Sequence, residues 1–103
     1  MLDAMITHVV MWKLKDRSPE NARRVQTLLL GMQGKIPGML GIEAGVDYAR
    51  SERSYDLVLI TRHVSRQALD QYQVHPVHEE VKRRGTLAMK QSSGASNGSS
   101  HRL

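Results

Sequence analysis

Apolar and polar positions along this chain sort themselves into strand-like and helix-like periods. Residues 5–15, Met-Ile-Thr-His-Val-Val-Met-Trp-Lys-Leu-Lys, are rich in β-branched and apolar types. At the two-residue period of a strand, Ile6, His8, Val10, Trp12 and Leu14 share one face. Thr7, Val9, Met11 and Lys13 share the other. Both faces are largely apolar, so both are predicted to be covered. The domain's own helices account for Val10 and Trp12, and a second subunit is the economical cover for Val9 and Met11.

The period then changes. Ser18 suits a helix N-cap and Pro19 the first helical position, where a missing N–H is harmless. Ala22, Val25, Leu29, Met32 and Ile36 follow at 3-4-3-4 spacing as one apolar stripe, and Gly34, Pro37 and Gly38 end it. Residues 39–49 return to period two, with Leu40, Ile42, Ala44 and Val46 on one face. A polar turn is predicted over 50–54. A third strand over 55–63 follows, whose apolar run from Leu57 to Ile60 suggests a central position in the sheet. Ser65 caps a short second helix carrying Ala68, Leu69 and Tyr72. Pro76 interrupts it near His75, and Val77 and Val81 mark a further helical turn. The order is that of a βαββαβ domain. Residues 1–84 are predicted to form it. Residues 85–103 read as a low-complexity tail, with at most a short strand at 86–91.

Composition narrows the function more than it identifies it. A chain of 103 residues is one domain with a modest core, which pairing with a second copy would enlarge. The absence of cysteine excludes disulfides, thiolate metal sites and cysteine nucleophiles. No apolar run approaches the length of a membrane span or a signal peptide, so a cytoplasmic protein without membrane attachment is expected. The net charge of +5 raises nucleic acid as a partner. The basic residues are scattered, though, with Arg23-Arg24 and Lys82-Arg83-Arg84 as the tight groups. An aromatic content of 4% also offers little for base stacking. Solvated helix faces explain the charge, and no nucleic-acid partner is expected.

Several segments in order resemble the stress-responsive A/B barrel (Dabb) family. They are Ile6-Thr7-His8-Val9-Val10 with Lys13 and Lys15, then Lys35-Ile36-Pro37-Gly38 and Ile42-Glu43-Ala44-Gly45. Tyr55-Asp56-Leu57-Val58-Leu59 and Tyr72-Gln73-Val74-His75-Pro76-Val77-His78 complete the series. The match spans about residues 5–82. It implies a ferredoxin-like α+β fold: a four-stranded antiparallel sheet with helices on one face, two such sheets meeting as a dimeric α+β barrel. Family members usually close with a hydrophobic strand. Here that place holds Gly85-Thr86-Leu87-Ala88-Met89-Lys90-Gln91 followed by serine and glycine, so an atypical or weak fourth strand is expected. The family includes stress-associated proteins without clear catalysis and a polyketide cyclase that forms a C–C bond by an aldol-type condensation. The positions matching that enzyme's pocket residues are His8, Tyr72 and His78.

The chemistry so implied needs no metal and no organic cofactor. Abstracting a proton between two carbonyls requires a base of near-neutral pKa, which the imidazole of His78 supplies. Tyr72 would orient it or hydrogen-bond the developing enolate, and His8 would hold a carbonyl oxygen. Val10, Trp12 and His75 are the expected ligand-binding residues. The same side chains have structural explanations. A histidine on an apolar strand is commonly a hydrogen-bonded core or interface residue, and His75 beside Pro76 suits a cap. His8, His75 and His78 do not meet zinc spacing convincingly. Two other functions therefore stand beside the small-molecule site: a non-catalytic dimeric stress or scaffold protein, and an enzyme like the antibiotic-biosynthesis monooxygenases of the same architecture, for which Trp12 and His8 are suggestive.

Overall fold

The computed structural model describes residues 5–48, 54–86 and 89–98, the last segment by its backbone. The elements run β1 (Ile6–Leu14), α1 (Pro19–Leu30), β2 (Met39–Val46), β3 (Leu57–His63), α2 (Arg66–Val74), α3 (Pro76–Thr86) and β4 (Met89–Gly98). The four strands form one antiparallel sheet in the order β2-β3-β1-β4. This is the ferredoxin-like βαββαβ plan, its second helical crossover broken in two at Pro76.

Each break has a local cause. Ser18 Oγ accepts the Asn21 N–H at 3.2 Å and Ser65 Oγ accepts the Ala68 N–H at 3.1 Å, satisfying donors that a helix start leaves open. Between α1 and β2 the chain turns through Gly38 at φ +83°. A Cβ there would stand 2.8 Å from Ala68 Cβ, so both the left-handed backbone and the close approach of α2 require glycine. The stripe of α1 is buried as its spacing predicts: Ala22, Val25 and Leu29 lie against the sheet, with Met32 and Ile36 beyond the helix end. They join Ile6, Leu14, Leu57, Leu59, Leu69, Tyr72 and Val81 in one core. Asp56, buried at 3% exposure, ties the end of β1 to the start of β3. Its carboxylate accepts the Leu14 N–H and the Arg17 Nε–H, each at 2.8 Å, while its own N–H reaches Trp12 O at 2.7 Å.

Strand β3 is central, as its apolar run implies. It alternates strictly, with Leu57, Leu59, Thr61 and His63 buried under the helices and Val58, Ile60 and Arg62 on the outer face. Strand β2 departs from the simple alternation. An irregularity between Met39 and Gly41 shifts its register, so Met39, Ile42 and Ala44 pack on the core while Leu40 stays 60% exposed. The register sets Val9 beside Ile60 and Met11 beside Val58. These four half-buried residues form the middle of the outer face, and no element among the described residues crosses it.

The C-terminal segment corrects an expectation. Instead of a short strand at 86–91, α3 continues to Thr86 and β4 occupies Met89–Gly98, paired with β1 from Ile6 to Leu14. Serine and glycine bring little to bury. An unpaired β1 edge, however, would leave its backbone N–H and C=O groups open, and a ladder needs only backbone to close it. The turn expected at 50–54 lies almost wholly outside the described residues, as do positions 99–103.

Candidate functional site

Strand parity places three polar side chains on the helix-covered face of the sheet. His8 of β1 pairs with Thr61 of β3, and Ile6 pairs with His63 one step along. From above, α2 contributes Tyr72 in its last turn, and α3 contributes His78 from its first turn. The four rings meet around Tyr72. Its ring centroid lies 4.1 Å from that of His78 in a stacked arrangement, 4.8 Å from His63, and 6.2 Å from His8 edge to face.

The hydrogen bonds of this cluster are incomplete in an informative way. His78 Nδ1 lies 3.3 Å from Gln73 O. A carbonyl only accepts, so Nδ1 carries the proton and Nε2 of the neutral ring holds a lone pair. His63 Nε2 lies 2.9 Å from Thr61 Oγ1. Its Nδ1 and the Tyr72 hydroxyl are buried without a hydrogen-bond partner. Both residues are 0% exposed. Most buried polar atoms find a partner, so two orphans in one cluster mark it apart from ordinary core.

Burial fixes the protonation states. It lowers the pKa of His8, with His78 adding to the effect. It takes His63 down to about 4, reinforced by His8 and His78. Burial also lowers His78, while the Gln73 carbonyl pulls the other way. The Tyr72 phenol is pushed up to about 12 by burial, tempered by the nearby Thr61 hydroxyl. At neutral pH the cluster is therefore three neutral imidazoles around one protonated phenol. It can accept a proton at an imidazole and donate a hydrogen bond from the phenol. The described residues contain no group of three metal-ligating side chains.

The structure thus brings His8, Tyr72 and His78 together. Val10 and Trp12 share the inner face with His8, Trp12 packing on the core. His75 is the C-cap of α2, and its Nδ1 accepts the Val77 N–H at 3.1 Å, so it serves the α2–α3 junction and makes no ring contact with Tyr72. His63 and Thr61 are the members that sequence reasoning missed. Continuing the alternation of Leu57 and Leu59 through the end of β3 would have placed both on the buried face.

Sheet order and helix placement define a ferredoxin-like α+β domain, with the buried polar cluster lying between sheet and helices. The chain belongs to the stress responsive A/B barrel domain family, whose model matches residues 6–93. Solved structures share the fold at low sequence identity. A dimeric ferredoxin-like protein of unknown function from Thermobifida fusca superposes with a TM-score of 0.81 at 18% identity, over 93% of this chain and 92% of that one. A hydroxynitrile lyase from Passiflora edulis gives 0.79 at 14%, over 97% of each chain. A cofactor-independent oxygenase from Streptomyces nogalater gives 0.75 at 12%, again over 97% of each. A search of curated proteins found no match. No helix among the described residues is long and apolar enough to cross a membrane.

Proposed function

We propose that this protein is a homodimer that binds a small carbonyl-bearing molecule between sheet and helices and acts on it by cofactor-free acid/base chemistry of the aldol or polyketide-cyclase type. The observation that carries the reading is the buried Tyr72 hydroxyl, unpartnered and ringed by neutral imidazoles. His78 is the base. Its Nδ1–H is held by Gln73 O, leaving Nε2 to take a proton from a carbon flanked by carbonyls. Tyr72 donates to the oxygen on which enolate charge develops, and a phenol that resists ionisation keeps its proton for that purpose. His8 helps hold the carbonyl, and Val10 and Trp12 on the same strand face contact the ligand, while His75 is left to the α2–α3 junction. That neighbours of this fold include a hydroxynitrile lyase and a cofactor-independent oxygenase supports small-molecule chemistry on the scaffold.

The complete burial of Tyr72 and His63 favours a second reading, in which the rings are core packing of a non-catalytic dimeric stress or scaffold protein. One experiment separates the two. An acetoacetyl thioester is incubated with the protein in D2O, and exchange at the carbon between its carbonyls is followed by NMR. The catalytic reading expects exchange faster than with an equal concentration of free imidazole, and its loss in His78→Ala and Tyr72→Phe with the fold intact. Equal exchange in all three proteins leaves the scaffold.

A further inference from the structure

Thr61 sits between two groups that the proposed chemistry treats differently. Its Oγ1 is 2.9 Å from His63 Nε2, and it stands beside the Tyr72 hydroxyl without closing a bond of good geometry. Both neighbours are fully buried, and each keeps one polar atom unpartnered: Nδ1 of His63 and the hydroxyl of Tyr72. A threonine hydroxyl has one proton to give and accepts in return. Two arrangements follow. If His63 carries its proton on Nδ1, Thr61 donates to Nε2, and Tyr72 spends its own proton on Thr61. If His63 carries the proton on Nε2, it donates to Thr61, and Thr61 donates to Tyr72. The Tyr72 proton is then free for a ligand.

We infer that His63 is held as the Nε2–H tautomer and, through Thr61, fixes Tyr72 as a hydrogen-bond donor toward the bound molecule. The partnerless Nδ1 selects this arrangement. It makes Nδ1 a bare lone pair at the atom found without a partner, and a buried N–H left unpaired is the rarer defect. His63 and Thr61 are positioning residues here and not a proton relay. Net transfer from a phenol near 12 to an imidazole near 4 is unfavourable by roughly eight powers of ten. The loose Thr61–Tyr72 contact closes when a ligand fixes the phenol, as catalytic hydrogen bonds often tighten on binding.

The inference rests on Tyr72 facing the ligand, and its primary test needs no substrate. Long-range 15N–1H correlation spectra of the 15N-histidine protein at neutral pH report the His63 tautomer directly. The Nε2–H form is expected, and an Nδ1–H ring would overturn the inference. In Thr61→Val the Tyr72 phenol, observed through a 13C label, should titrate higher than in the wild type, and Thr61→Ser should restore it. An unchanged titration in Thr61→Val overturns the inference as well. In the deuterium-exchange assay, Thr61→Val should lower kcat by about fivefold with little change in KM, the value of one hydrogen bond of about 1 kcal/mol. Exchange absent from the wild type itself, with the Nε2–H tautomer and the Tyr72 shift in place, would remove the catalytic reading and leave the donor orientation standing.

Discussion

Tyr72→Phe separates stability from function most sharply, because the two should move in opposite directions. The substitution removes one oxygen and keeps the ring that stacks on His78 at 4.1 Å and packs on His63 at 4.8 Å. The oxygen is buried and has no hydrogen-bond partner. A buried polar group left unsatisfied costs about 1–3 kcal/mol. The nearby Thr61 hydroxyl offsets part of that, so the lower end applies. Phenylalanine should therefore stabilise the fold by about 1 kcal/mol, or about 4–8 °C in Tm for a domain of this size. Tyr72→Ala would instead open a cavity and lose about 3–5 kcal/mol, as for other buried aromatic truncations. Urea unfolding followed by circular dichroism measures both, provided the m-value is unchanged. Loss of more than about 0.5 kcal/mol in Tyr72→Phe would show that the hydroxyl donates its own proton to a protein acceptor in solution. The reading of the site as poised for a ligand would then fall.

Three further outcomes follow from the same structure. The pKa of His63 is depressed from its unfolded value of 6.5 to about 4, so its contribution is complete above pH 6.5 and is lost as pH falls toward 4. That loss is of the order of 3 kcal/mol, and His8 and His78, also depressed, act in the same direction. Denaturation midpoints that stay flat between pH 7 and pH 4.5 would contradict this. A chain ending at Lys90 would lose the partner of β1 from Ile6 to Lys13 and should melt roughly 10 °C lower, an edge penalty of about 2 kcal/mol; an unchanged Tm refutes it. Ile60→Asp, in the middle of the outer sheet face, should convert a dimer to a monomer by light scattering, and a dimer that survives it uses another surface.

Much of this fold is legible in the sequence because its signals are local and redundant. Ser18, Pro19 and the stripe from Ala22 to Ile36 define α1 without tertiary information, and Ser65, Tyr72 and Pro76 mark the ends of the broken crossover. What escapes is set by pairing between distant strands. The slip between Met39 and Gly41 turns Leu40 outward because β2 must match β3, and nothing in its own residues announces the irregularity. The fourth strand escapes for a related reason: residues 89–98 have no strand period, and the open edge of β1 recruits them. In the site, resemblance to the family points to His8, Tyr72 and His78. Their meeting around one phenol, and the inclusion of His63 and Thr61, depend on β1–β3 register.

The charge state of the cluster also limits what it can serve. Three imidazoles held neutral and a phenol held protonated present no formal charge to a ligand at neutral pH. A carboxylate or phosphate entering such a site would lose its hydration without gaining a cation among these rings, a large penalty in a buried setting. A neutral carbonyl compound loses little on entry. In the proposed reaction charge appears only as His78 takes the proton, when the enolate oxygen would gain negative character beside the Tyr72 hydroxyl and His78 would become cationic against the Gln73 carbonyl. Interactions that strengthen only at that point lower the barrier without trapping the ground state. The desolvation that depresses these histidines is thus compatible with catalysis on neutral substrates and unfavourable for binding anionic ones.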